Sequence, residues 1–189
     1  VTYLDTIFNN IDTSFMKGAW RLYFTSNHDE NSWNKADYET MPGKVHAPFA
    51  VLALTYNRTM PLIYSGQEEP VLRAIQFFEK DPIQFNKYER APFYTALLQL
   101  RNTNKVFGEQ AQFKRVRVNN PKAIMAYQRE FENEKVVVVL NLSNKDQVVD
   151  LELNGQVNNY KELFSGKSFN NIKHLELPAW GYQVFVKMN

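Results

Sequence analysis

The apolar residues of this chain change their spacing once, near residue 108, and no single layer architecture accommodates both halves. Up to that point helical and strand-like segments alternate. Tyr3, Ile7, Ile11 and Phe15 follow the spacing of an amphipathic helix, and residues 20–26 form a short apolar strand. Residues 31–43, rich in Asn, Lys, Asp, Glu, Pro and Gly, read as an exposed loop. Val45, Phe49, Leu52 and Tyr56 mark the buried stripe of a helix over about 46–57. Met60-Pro61-Leu62-Ile63-Tyr64-Ser65 is a second strand ended by Gly66, with a long loop through Asp81-Pro82 behind it. Pro92 suits a first helical position, and Phe93, Leu97 and Leu100 carry that helix to about Asn104. Strands joined by helical crossovers imply parallel α/β structure. Two such strands cannot close a barrel, so this region is expected to be a partial one with open edges.

Beyond Phe113 the pattern becomes one of short strands, expected at 112–118, 122–131, 135–142, 147–153, 159–164, 172–177 and 181–187. Val136, Val137, Val138, Val139 and Leu140 run without a polar break, which predicts a strand buried on both faces. Val149, Leu151 and Leu153 alternate with Asp150 and Glu152, the pattern of a strand wet on one side. Turn residues separate these runs at regular intervals, which predicts an antiparallel sandwich or Greek key. The expected organisation is therefore α/β followed by all-β, divided into residues 1–108 and 109–189.

The chain is 44% hydrophobic and 22% charged with a formal net charge of +2, a balance that suits a folded chain and gives no basic stripe for nucleic acid. A neutral ligand such as a sugar fits at least as well. With no cysteine, disulfides, thiolate zinc sites and a Cys nucleophile are excluded. No apolar run approaches the roughly 20 residues of a membrane-spanning helix, and no His/Asp/Glu cluster has metal-ligand spacing, so neither metal nor other cofactor is expected. A chain that opens at Val1 and enters a helix at once is expected to be part of a longer polypeptide.

Chemistry concentrates where the first strand ends, in Asn27, His28, Asp29 and Glu30. Alone, such a cluster reads as a polar loop whose Asn and Asp make turn bonds. The second strand, one helical crossover later, also ends in acidic residues, Glu68 and Glu69, and parallel strands open their carboxyl ends on one rim. Of these two acids, ordering of loop backbone is the favoured role. Trp33, four residues past Asp29, either stacks on a sugar ring or packs its loop on the scaffold, with Tyr38 a weaker version of the same idea. Phe77 or Phe78 reads as a loop anchor set in the core ahead of a part for the pair in a glucan groove, and Trp180 as a plug for the sandwich end ahead of a sugar platform. His46 and His174 read as surface or packing residues.

Phe24-Thr25-Ser26-Asn27-His28-Asp29 resembles the seventh barrel strand of the α-amylase family of glycoside hydrolases. Met60-Pro61-Leu62-Ile63-Tyr64-Ser65-Gly66-Gln67-Glu68 resembles the eighth, with Met60 in place of a usual Gly. Leu175-Glu176-Leu177-Pro178-Ala179-Trp180-Gly181-Tyr182 is similar to the end of the β domain that follows the barrel. The resemblance implies the last two strand–helix units of a (β/α)8 TIM barrel plus an antiparallel Greek-key β-sandwich. It implies an α-1,4-glucan oligosaccharide or polysaccharide as partner and substrate. It assigns Asp29 the role of transition-state-stabilising carboxylate, His28 that of a hydrogen-bond donor to the same sugar, and Asn27 that of a substrate-site residue that supports the loop. The family's Gly-x-Arg-x-Asp motif and its Glu-bearing strand do not occur in these 189 residues. The nucleophile and acid/base are thus expected in a missing N-terminal part of the same polypeptide, and the isolated chain is expected to be inactive and prone to self-association. A non-catalytic glycan-binding or structural β module, or a transglycosylase or isomerase of the same family, remain as alternatives.

Overall fold

The computed structural model describes residues 1–16, 18–34, 41, 43–69, 71–155 and 159–188; Tyr38, Pro70 and most of the loop expected at 31–43 lie outside the described residues. In chain order the elements are α1 (Thr2–Ser14), β1 (Arg21–Tyr23), α2 (His46–Thr55), β2 (Thr59–Pro61), α3 (Ala91–Thr103), β3 (Gln112–Arg115), β4 (Arg117–Val118), β5 (Ile124–Phe131), β6 (Glu134–Asn141), β7 (Gln147–Glu152), β8 (Tyr160–Glu162), β9 (Ser168–Phe169), β10 (His174–Leu177) and β11 (Tyr182–Lys187).

β1 and β2 pair in parallel, Arg21 opposite Thr59 and Tyr23 opposite Pro61. Both strands are shorter than the apolar runs that contain them. The Leu62 N–H still reaches the Tyr23 carbonyl at 2.9 Å, but the Tyr64 N–H is taken by the Gln67 side chain, so pairing stops where the rim loops begin. Leu22 and Met60, side by side in the register, are exposed. On α1 the burial departs from the expected stripe: Phe8 is buried against Tyr23 and Tyr56, whereas Tyr3 and Phe15 are exposed. Helical spacing alone does not say which of two adjacent apolar rows meets a neighbour. α2 also differs from expectation, being buried on nearly every side. It lies between α3, β2 and the face of a large sheet, so it has no solvent face to carry polar residues.

That large sheet has the order β3-β5-β6-β11-β8-β9, and a smaller one the order β10-β7-β4; every pairing within them is antiparallel. The expected strand at 112–118 is broken at Val116. Its first part pairs with β5 in the large sheet and its second with β7 in the small one, so the chain changes sheets at that residue. The two-residue strand β9, which sequence patterning missed, closes the edge against β8.

Two cores use opposite faces of the large sheet. Val137 and Val139 of β6, Ile124 and Ala126 of β5 and Phe185 of β11 pack toward the small sheet. Val136, Val138 and Leu140, with Met125, Tyr127 and Val184, pack against α2, α3 and Phe8. Alternation along one strand thus serves two interiors, and this is why 136–140 tolerates no polar residue. At the helix-facing edge of β5, Arg129 is buried, and no ion pair to a carboxylate is seen for it among the described residues. Its Nε donates to the Val106 carbonyl and its Nη1 to the Tyr56 carbonyl, both at 2.6 Å. Arg101 of α3 donates to the Leu54 and Thr59 carbonyls, both at 2.7 Å. The Phe107 ring lies between the two guanidiniums, 5.4 Å from Arg101 and 5.2 Å from Arg129. Two of these acceptors, Leu54 and Tyr56, are carbonyls left open at the carboxyl end of α2. Burial, then the nearby Arg101, holds the Arg129 guanidinium down to about 10, so it stays charged at neutral pH.

Candidate functional site

The parallel register of β1 and β2 sends the loops that follow them, from Phe24 and from Leu62, out on the same side. Asn27 organises the first loop. Its Oδ1 accepts the N–H groups of Asp29 at 2.9 Å and Glu30 at 2.8 Å, and its carbonyl accepts the Asn31 N–H. This caps a single wide helical turn, Glu30–Asn34. The Asp29 carbonyl accepts from Ser32 and Trp33, and the His28 carbonyl accepts the Ser32 hydroxyl. With the backbone so committed, the His28 and Asp29 side chains project outward, 70% and 51% exposed, with Nε2 and Oδ2 3.5 Å apart. The Tyr64 ring, from the second loop, lies 6.5 Å from the His28 ring.

Gln67, which sequence reasoning passed over, fastens the two loops. Buried at the base of the rim, its Nε2 donates to Thr25 Oγ1 at 2.8 Å and Ser26 Oγ at 2.7 Å, and its Oε1 accepts the Tyr64 N–H at 3.2 Å. The hydroxyls it binds belong to the two residues just before Asn27, but nothing in the sequence links them to Gln67. Gly66 makes the turn possible at φ +93°; a Cβ there would stand 2.5 Å from Val71 Cγ2.

Glu69 takes the loop-ordering role. Its carboxylate accepts the backbone N–H groups of Asn86, Lys87 and Tyr88 at 3.0–3.2 Å, and these bonds, Tyr88 foremost, hold its carboxyl below the ordinary range. Glu68 turns back to its own loop, accepting the Gly66 N–H. Trp33 sits beside Phe77 at 4.9 Å, and Phe77 beside Phe78 at 4.8 Å. Phe77 and Phe78 are exposed, so the expectation of core anchors fails. The charged pair Arg73 and Asp81 braces their loop. Arg73 donates twice to Asp81 at 2.6 and 2.5 Å, and the Gln76 N–H adds a third bond at 2.9 Å.

The Arg73 hydrogen bonds, followed by that of Gln76, lower the Asp81 carboxyl from 3.8 to about 2. A depressed carboxyl adds stability above its ordinary value and loses it as pH falls through the native one. The brace is therefore expected to hold above 3.8 and to open as pH approaches about 2. In a carbon-detected NMR titration the Asp81 carboxyl should show its midpoint near 2, and Arg73→Gln should move it toward the ordinary value of about 4. A native midpoint already near that ordinary value would contradict the brace.

Elsewhere, His46 is buried, with its Nε2 2.6 Å from the Tyr94 hydroxyl, and His174 is exposed beside Asp150 at 2.7 Å. Trp180, held at φ +57°, lies toward Phe49 of α2 at 6.5 Å. No cluster of three metal-ligating side chains and no helix long and apolar enough to cross a membrane occurs among the described residues.

Residues 113–184 match the family described as Maltogenic Amylase, C-terminal domain. No curated protein sequence matches the chain. Solved structures that resemble it include a noncanonic maltogenic α-amylase, AmyB, from Thermotoga neapolitana, with a TM-score of 0.76 and 17% identity, covering 99% of this chain and 45% of that one. An α-amylase from Geobacillus thermoleovorans, GTA, complexed with acarbose, gives a TM-score of 0.71 at 15% identity over 98% of this chain and 43% of that one. AmyP E221Q in complex with maltotriose gives 0.68 at 12% identity over 94% and 43%. The chain spans less than half the length of these structures. It has the fold of the carboxy-terminal part of α-amylase-family enzymes, and over residues 113–184 it matches the maltogenic amylase C-terminal domain.

Proposed function

We propose that these 189 residues are the carboxy-terminal portion of a retaining glycoside hydrolase acting on α-1,4-glucans such as starch and maltooligosaccharides. Residues 1–108 supply the last two strand–helix units of a (β/α)8 barrel, and residues 109–189 the trailing Greek-key sandwich. The observation that carries this reading is the parallel pairing of β1 with β2, which gives His28, Asp29 and Tyr64 a common rim, fastened by Gln67. The maltotriose bound by AmyP, a protein of similar fold, supports a glucan as ligand.

In a retaining displacement two carboxyl groups about 5–5.5 Å apart act on the glycosidic bond, one as nucleophile and one as acid/base. Here those two groups come from polypeptide outside these residues. Asp29 performs the remaining electrostatic task. Positive charge develops on the sugar as the bond breaks, and a fixed anion beside it lowers the energy of that state more than that of the bound substrate. His28 donates a hydrogen bond to a hydroxyl of the same sugar. Asn27 keeps both side chains aimed outward through the two amides on its Oδ1. Trp33 offers an apolar ring face to a neighbouring sugar. The exposed Leu22, Met60 and Tyr3 mark the faces on which the rest of the barrel rests; in its absence the chain associates with itself through them.

Maltoheptaose added to the purified chain should shift the His28 imidazole signals and leave the Trp180 indole unmoved, and no reducing sugar should appear. Sugar bound at Trp180, or hydrolysis by the isolated chain, would overturn the assignment.

A further inference from the structure

We propose that Gln67 is a positioning residue for the reaction at this rim: its side-chain amide, by holding the Thr25 and Ser26 hydroxyls, fixes where the Asp29 carboxylate stands against the sugar. The inference rests on the glucan reading above and gives control of its key charge to a buried group on the second loop.

The Asp29 carboxylate has little of its own to hold it. Among the described residues its one ion-pair contact is His28 Nε2 at 3.5 Å, and that ring is itself exposed. Its position is therefore inherited from the backbone beneath it. From Asp29 back to Ser26 that backbone has no slack, because Asn27 Oδ1 accepts the Asp29 and Glu30 N–H groups and the Asn27 carbonyl accepts the Asn31 N–H. Ahead of Ser26 the support changes. The β1–β2 ladder ends at Tyr23, and among the described residues no backbone hydrogen bond joins residues 24–26 to the second strand. The Gln67 amide crosses that gap. Its two N–H bonds go to Thr25 Oγ1 at 2.8 Å and Ser26 Oγ at 2.7 Å, while Oε1 takes the Tyr64 N–H.

The amide transmits position because its own footing is firm. The Gln67 N–H donates to the Tyr64 carbonyl at 3.1 Å, and the Gly66 carbonyl accepts from Glu69 and Val71 at 3.1 and 3.0 Å. The Glu69 carboxylate then binds three successive amides at 86–88. Gln67 and Ser26 are both buried, where a hydrogen bond given up is not simply returned to solvent. A fixed anion stabilises a developing cation only from a preset place, and a misplacement of about 1 Å can cost about 10²-fold in rate. The bound substrate carries no such charge and is far less sensitive. Gln67 is thus expected to act on kcat, through Asp29, more than on binding.

The test is a double-mutant cycle in the full-length polypeptide. Both kcat on maltoheptaose and the dissociation constant for it are measured for native, Gln67→Leu, Asp29→Asn and the double variant. Gln67→Leu should lower kcat roughly 10- to 100-fold and change the dissociation constant less than about threefold. In the Asp29→Asn background the same substitution should change kcat by less than about twofold, since the charge it positions is gone. A brace that only stabilises the fold would lower Tm and reduce kcat by equal factors in both backgrounds. That result, like a native kcat in Gln67→Leu, overturns the proposal. Should Gln67→Leu fail to fold, Thr25→Val decides, because it removes one hydroxyl contact and keeps the shape. A several-fold fall in kcat that vanishes in the Asp29→Asn background supports the positioning role; an unchanged kcat, or an equal fall in both backgrounds, overturns it. A native polypeptide without turnover, or a native kcat in Asp29→Asn alone, brings down the glucan reading itself and the positioning role with it.

Discussion

In an intact enzyme that contains this segment, Asp29→Asn should lower kcat roughly 10²- to 10³-fold, about 2.7–4 kcal/mol of transition-state stabilisation. The substitution changes the volume very little. It leaves the Asn27-capped turn alone, because Asp29 contributes only its backbone N–H and carbonyl to that turn. What it removes is a full negative charge at an outward-facing position beside His28. A charge that acts on the developing sugar cation counts little in the ground state, so the dissociation constant for a maltooligosaccharide should change only a few-fold. Steady-state kinetics paired with direct binding separates the two quantities. A variant with native kcat would remove Asp29 from the mechanism, and one with native kcat and weakened binding would make it a simple substrate contact.

The largest effect on stability is expected at Arg129. Arg129→Met keeps most of the volume and discards the guanidinium, leaving the Val106 and Tyr56 carbonyls buried without their donors. Each such loss costs about 1–3 kcal/mol, so the pair should cost roughly 2–6 kcal/mol. For a chain of this length that corresponds to a fall in Tm of about 10 °C, to be read from thermal unfolding followed by circular dichroism. Arg129→Lys retains the charge but not the fork that reaches two carbonyls at once, so it should fall between the two. A methionine variant within a degree or two of native would mean that water satisfies those carbonyls, and the clasp would be ornamental. Arg101→Met tests the neighbouring cation and should cost a similar amount, because the Leu54 and Thr59 carbonyls it leaves without donors belong to buried residues.

The sequence carried the large features and lost the small ones for definite reasons. The unbroken run 136–140 identified a doubly buried strand because only apolar side chains are admissible on both of its faces. β1 and β2 were visible as apolar runs ending in polar clusters, although pairing covers only three residues of each. On α1, Tyr3 entered the expected stripe and Phe8 did not, since periodicity cannot tell which apolar row faces the interior. The change of sheets at Val116 leaves no mark, because Val suits either sheet equally. The cluster at Asn27, His28 and Asp29 was legible as a site. Its support was not: Gln67 lies 41 residues from Ser26, and nothing in its identity announces a buried clamp. Phe77 and Phe78 were misplaced because an aromatic pair signals burial by default, and the charged pair that holds their loop outward is visible only in three dimensions.

The double-sided sheet has a bearing on protein engineering. β5 and β6 line one interior with the small sheet and a second with α2 and α3, so a cut that frees the carboxy-terminal strands as a cassette runs through an apolar core. A chimera spliced near residue 108 would strand Tyr127, Val138 and Leu140 in solvent unless the recipient scaffold brought a matching pair of helices.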